Sequence, residues 1–180
     1  MLDEKFGICV CGLNGSGKTT LAKLLSQKTN FCHFDTEDYY FGKTNDIPYA
    51  VSRTREQVEA MLADDIQKHP QFIFSVVNGD FGEAITSAYG LVIYLSVPLD
   101  ERMRRIKQRA IDKFGRRVLE GGDMYEQEQK FFDFCAERSD EKIIKWLDSL
   151  SCPVMQLDGT RPTEANIDLI LNQLKKMGLN

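Results

Sequence analysis

Residues Gly12-Leu13-Asn14-Gly15-Ser16-Gly17-Lys18-Thr19 spell G-x-x-x-x-G-K-[ST], the P-loop or Walker A pattern. No other feature narrows the possible folds so far. Upstream, Phe6-Gly7-Ile8-Cys9-Val10-Cys11 is a short apolar run that reads as a buried strand. Downstream, Thr20-Leu21-Ala22-Lys23-Leu24-Leu25 reads as the start of a helix. Chance supplies the four fixed positions on the order of once per hundred chains of this length. A chance match with strand before and helix after is rarer, and that context is what the motif's chemistry needs.

A polyphosphate packs several negative charges into a small volume. A loop that wraps it must point successive N–H groups inward, and Gly12, Gly15 and Gly17 permit the close approach. The first turn of the following helix adds unpaired N–H groups and the positive end of its dipole. Asn14, Ser16 and Thr20 complete the loop and that turn. Lys18 is expected at the β- and γ-phosphates, and the Thr19 hydroxyl on Mg²⁺.

The 180 residues suffice for one domain with an ample core. Hydrophobic content of 42% and charged content of 28% are those of a soluble globular chain. No apolar run reaches the roughly 18 residues of a membrane span. Met1-Leu2-Asp3-Glu4-Lys5 lacks the apolar core of a signal peptide. The five cysteines include no C-x-x-C pair and are expected to be reduced thiols in a cytoplasmic protein. His33 and His69 have no metal-type spacing.

Strand and helix patterns alternate. Strands are expected at 6–11, 32–35, 72–77, 91–95 and 153–157. Helices are expected at 18–28, 54–68, 98–114, 124–150 with a break near Arg138-Ser139-Asp140, and 162–177. Thr36 to Ser52 reads as a loop broken by Gly42 and Pro48. Thr54 and Gln57 have capping-box spacing, and Val58, Met61, Leu62 and Ile66 form the apolar face of that helix. Five apolar strands separated by helices predict a three-layer α/β/α fold on a five-stranded parallel sheet. Ligands of such sheets bind beyond the carboxyl ends of the strands. Asp35, Asn78, Asp80 and Ser96 follow strand ends and are candidates for that crevice.

Net charge is −4, but Glu101 to Arg117 carries eight cations against two acids. An acidic protein with one basic stretch suits an anionic ligand better than general nucleic-acid binding. Arg102, Arg105 and Arg109 share one helical face, with Met103, Ile106 and Ala110 on the neighbouring face that packs. Arginine grips phosphate with two parallel bonds, so this face is expected to clamp the donor nucleotide. Gly121-Gly122 would let the segment move and exclude water.

The loop, Asp35 after the second strand, and the run Val97-Pro98-Leu99-Asp100-Glu101-Arg102-Met103-Arg104-Arg105-Ile106-Lys107-Gln108-Arg109 resemble the small P-loop kinases, most closely the nucleoside-monophosphate-kinase-like and shikimate-kinase-like group. Leu157-Asp158-Gly159-Thr160-Arg161-Pro162 is similar to that group's last strand and loop, which approaches the adenine. The resemblance implies one P-loop kinase-like domain over 1–180 with a mobile helical lid at about 102–124. It implies ATP and Mg²⁺ as cofactors and a small-molecule phosphoryl acceptor, with nucleotides and nucleosides in that class. Gly15, Gly17, Lys18 and Thr19 would hold the phosphates and Mg²⁺. Arg105 and Arg109 would stabilise the moving phosphoryl group, and Arg161 would lie by the nucleotide. Asp35 would orient metal-bound water or accept the acceptor's hydroxyl proton. Asn78-Gly79-Asp80 departs from the Asp-Gly of many relatives, and Asp80 is the alternative acid.

Glu37 and Asp38 join Asp35 in an acidic cluster. Arg53 and Arg55 either hold an anionic acceptor or form a solvated helix start. Tyr39, Tyr40 and Phe41 either stack on a base or pack. Phe131, Phe132, Phe134 and Trp146 read as core. Two other functions fit the loop: an NTPase with no acceptor, and an ATP-binding protein acting on nucleic acid. Ser96 stands where an NTPase switch wants an acid after the strand ending at Leu95, and the acidic balance weighs against nucleic acid.

Overall fold

The three central strands form where apolar runs can be buried on both sides of a sheet. The computed structural model describes residues 5–41 and 52–179. The N-terminal reading therefore lies mostly outside the described residues, as does the 42–51 part of the predicted loop. β1 (Phe6–Cys11), β2 (Cys32–Asp35), β3 (Gln71–Val76), β4 (Tyr89–Ser96) and β5 (Val154–Asp158) make one sheet in the order β2-β3-β1-β4-β5. Every pairing is parallel, as an α/β fold with connecting helices requires.

Alternate residues of each central strand enter opposite cores. Cys9 and Cys11 of β1 join Phe72, Phe74 and Tyr94 on one face. Ile8 and Val10 join Ile73, Leu91 and Ile93 on the other. α3 (Arg55–Lys68) and α7 (Glu141–Leu147) cover the first face through Val58, Leu62, Ile66, Ile143 and Trp146. α1 (Lys18–Thr29) and α8 (Thr163–Lys176) cover the second through Leu21, Leu25, Ile167 and Ile170. This is the predicted three-layer arrangement.

α3 begins at the predicted capping box. The Thr54 hydroxyl accepts the Gln57 N–H while the Gln57 side chain accepts the Thr54 N–H, satisfying two otherwise orphan donors. Met61, expected on the buried face, is 39% exposed. Two short helices fall in stretches without periodicity: α2 (Thr36–Tyr40) and α4 (Glu83–Thr86). The long helical stretch after Met124 is broken as expected, into α6 (Tyr125–Glu137) and α7.

α5 (Leu99–Phe114) leads through a 3-10 turn (Gly115–Val118) and the 119–124 turn into α6. Ile106, Ala110, Val118, Phe132 and Cys135 form a third apolar cluster that belongs to these elements alone. Arg117 forks onto both carboxylate oxygens of Asp123 and closes the turn. No helix among the described residues is long and apolar enough to cross a membrane.

Candidate active site

The loop after β1 begins a helix without a side-chain cap. Gly17 is the N-cap residue of α1, with φ +92°, and no side chain occupies the first-turn N–H groups. They remain available to an anion. Gly15 has φ +82°, and a Cβ there would lie 2.6 Å from the Arg102 carbonyl oxygen. α5 thus rests its backbone against the tip of the loop. Ser16 is buried, and its hydroxyl has no hydrogen-bond partner. Left-handed glycines, an uncapped helix start and an unpaired interior hydroxyl fit a bound polyphosphate.

A cavity of about 1120 Å³ opens at the carboxyl ends of the strands. It gathers Asn14, Lys18, Thr19, Asp35 and Arg109 of the predicted site. Burial pulls the Lys18 amine down to about 8, against the opposing pull of Glu37 and Asp35; Arg109 and Arg138 push it the same way as burial. Four groups of both signs therefore surround this ammonium. Asp35 lines the cavity and caps α2: one carboxylate oxygen accepts the Glu37 N–H at 3.0 Å. Asp80 and Arg55 also line the cavity; the Arg55 guanidinium donates to the Asp80 carbonyl at 2.6 Å and pairs with Glu59 at 2.7 Å.

Other predicted residues lie elsewhere. Gly12 packs against β4, since a Cβ there would sit 2.6 Å from the Leu95 carbonyl oxygen. Thr20 is exposed on the first turn of α1 and does not line the cavity. Arg105 lies outside the cavity as well. Its guanidinium joins Glu101 (2.7 Å), the Ser16 carbonyl (3.4 Å) and the Gly159 carbonyl (3.0 Å). It ties the phosphate loop to the loop after β5, where exposed Arg161 also sits. Glu101, gripped by Arg104 and Arg105, is held down to about 2.

The expected three-arginine face is corrected. Arg102 is 5% exposed and shares the packed face with Ile106 and Ala110, at i, i+4 and i+8. The phosphate loop supplies a carbonyl to receive it: Arg102 donates to Asn14 O at 3.3 Å. The aromatic reading holds for Phe132 and Trp146, which are core, and Phe131 packs half-buried against the third apolar cluster. It is corrected for Phe134, which is 52% exposed and lines the cavity, as Phe131 and one side of Trp146 also do. Tyr39 packs, its hydroxyl donating to Asp65, whereas Tyr40 and Phe41 line the cavity. Arg53 donates to the Tyr39 carbonyl at 2.7 Å. His33 bonds Ser75 at 3.0 Å and, desolvated, titrates below its ordinary value. Among the described residues no group of three or more His, Cys, Asp or Glu side chains could hold a metal ion.

Arg138 was not foreseen. It stands at the break between α6 and α7, lines the cavity and donates to Asn14 Oδ1 at 3.0 Å. Its one sequence signal was that break.

A left-handed glycine loop leading into an uncapped helix, on a 2-3-1-4-5 parallel sheet, defines a P-loop protein. The chain belongs to the AAA domain family, whose model matches residues 8–124. The uncharacterized protein YqaC of Bacillus subtilis is 29% identical, over 94% of this chain and 98% of that one. Shikimate kinases of Psychrobacter cryohalolentis and Synechococcus elongatus are 28% and 30% identical, over 58% and 53% of this chain. The matches span 61% and 55% of those enzymes' lengths. The fold is shared with a shikimate kinase from Bacteroides thetaiotaomicron (TM-score 0.60, 19% identity, 94% of this chain and 98% of that one). It is shared also with a sugar kinase from Janibacter (TM-score 0.56, 17% identity, 96% and 95%). These similarities support the resemblance to the small P-loop kinases of the nucleoside-monophosphate-kinase-like and shikimate-kinase-like group.

Proposed function

We propose that this chain is an ATP- and Mg²⁺-dependent kinase that moves the γ-phosphoryl group to a hydroxyl of a small molecule, a class that includes nucleotides and nucleosides. The observation that carries the proposal is the single cavity in which Lys18 and Thr19 share space with Asp35, Arg109 and Arg138. Phosphoryl transfer asks a protein mainly to position reactants and neutralise charge.

In this reading the 12–19 loop and Lys18 bind the β- and γ-phosphates. Thr19 and Asp35 would hold Mg²⁺, which would supply positive charge to neutralise the phosphates. Arg109 and Arg138 stabilise the charge on the moving phosphoryl group. The free oxygen of Asp35 takes the acceptor's proton, directly or through water. Arg105 and Arg161, at the β5 edge, lie against the nucleoside part of the donor. The chain acts as one domain in the cytoplasm, with 102–124 closing as a lid over the cavity. Apolar walls from Phe81, Phe131, Phe134 and Trp146 exclude water from the transfer.

Incubation with ATP, Mg²⁺ and pooled nucleosides, nucleotides, sugars and hydroxylated acids, read by mass spectrometry, tests this. The expected product is one acceptor heavier by one phosphoryl group. Release of inorganic phosphate alone, or labelling of oligonucleotides alone, overturns the reading in favour of an NTPase or a nucleic-acid-acting protein.

A further inference from the structure

Arg102 is a buried cation that the proposed chemistry does not use. A guanidinium withdrawn from water costs several kcal/mol unless it is paired. Arg102 is 5% exposed, makes one hydrogen bond, to the Asn14 carbonyl at 3.3 Å, and has no ion-pair partner among the described residues. It lines a second cavity of about 270 Å³ behind the phosphate loop, with Arg138, Asp140, Tyr94 and Ser96. The Asp140 carboxylate there is engaged by the Tyr94 hydroxyl at 2.5 Å. Arg138 contributes a second positive charge, and desolvation and the Arg102 charge both lower its own pKa, burial foremost.

Asn14 lines the first cavity and is held by two residues that line the second. Its carbonyl is held by Arg102 and its side chain by Arg138. At the next residue, the Arg102 carbonyl and Cα would lie 2.6 and 3.0 Å from a Cβ on Gly15. The tip of the loop is therefore gripped through two consecutive residues by one turn of α5. The same turn leaves positive charge behind the loop without a full counter-charge. A polyphosphate on the front of the loop would supply it.

We propose that Arg102 is a positioning residue for triphosphate binding, fixing Asn14 and Gly15 from behind and holding a buried charge that the bound polyphosphate compensates. The inference rests on the kinase reading above and adds a residue to it. A structural arginine and a positioning arginine differ in what their removal does. Removing a poorly paired buried charge is neutral or stabilising for a fold, whereas removing a loop brace and its charge weakens anion binding.

The test uses Arg102→Met, similar in reach and uncharged, and Arg102→Lys, which keeps a charged donor. Equilibrium dialysis gives Kd for a non-hydrolysable ATP analogue with Mg²⁺, and calorimetry gives the nucleotide-free Tm, beside the wild type. Arg102→Met is expected to raise Kd at least about tenfold while its nucleotide-free Tm stays level or rises; Arg102→Lys recovers most of the affinity. In turnover, KM for ATP rises and kcat at saturation stays within about threefold. Wild-type affinity in Arg102→Met overturns the inference, and so does loss of Tm in parallel with affinity. A wild type that binds no analogue overturns the kinase reading together with this one.

Discussion

Gly15→Ala should be far more costly than its conservative size suggests. Two penalties add. Gly15 has φ +82°, and an L-residue held in the left-handed region costs about 1–2 kcal/mol. The new Cβ would also lie 2.6 Å from the Arg102 carbonyl oxygen and 3.0 Å from Ile106 Cγ1. Both are parts of a helix anchored by its own buried face, so α5 has to shift, at about 1–3 kcal/mol for overpacking. The total is about 2–5 kcal/mol. Gly121→Ala is the internal control, because Gly121 has φ +84° and nothing within 4 Å of its Cβ position. It should lose only the conformational part, about 1–2 kcal/mol. Gly17→Ala, φ +92° with its nearest neighbour at 3.7 Å, should match the control in stability and still lose ATP binding. Urea denaturation followed by Trp146 fluorescence separates the three, with the slope checked for constancy. If Gly15→Ala proves no more destabilising than Gly121→Ala, α5 does not press on the loop and the packing argument fails.

Affinity for ATP should be flat up to about pH 8 and then fall. Lys18 titrates at about 8, the triphosphate binds its protonated form, and each further pH unit costs about tenfold; binding curves at pH 7, 8 and 9 check this, and an unchanged Kd at pH 9 refutes it. Arg109 is exposed, so Arg109→Ala should lower kcat by about 10²–10³ with little change in Tm. Arg105→Ala breaks the ties to Ser16 and Gly159; it should raise KM for ATP and also lower Tm, and steady-state kinetics beside thermal melts would expose an exchange of these two phenotypes. Thr54→Ala removes the α3 cap and should cost about 1 kcal/mol with activity intact, as a denaturation midpoint will report.

The parts of the molecule legible in the sequence were those with local causes. The glycine spacing of 12–19, the buried strand runs and the Thr54–Gln57 box each need only neighbours a few residues away, and each stands in the structure. α2 and α4 escaped because helices of five and four residues carry too little periodicity to register. Arg102 was misplaced for a physical reason. Patterning assigns cations to the wet face of a helix, but the phosphate loop offers a carbonyl to the dry one. Arg138 meets Asn14 across 124 residues of sequence, and no local pattern encodes such a meeting. Phe134 read as core because a cavity wall and a core draw on the same residue types.

The most direct test of the central claim is a calorimetric titration of the intact protein with a non-hydrolysable ATP analogue and Mg²⁺, beside Lys18→Ala. Saturable heat from the wild type, lost in a Lys18→Ala protein that melts normally, is the predicted result. Identical heats from the two proteins, or none from a folded wild type, would contradict it.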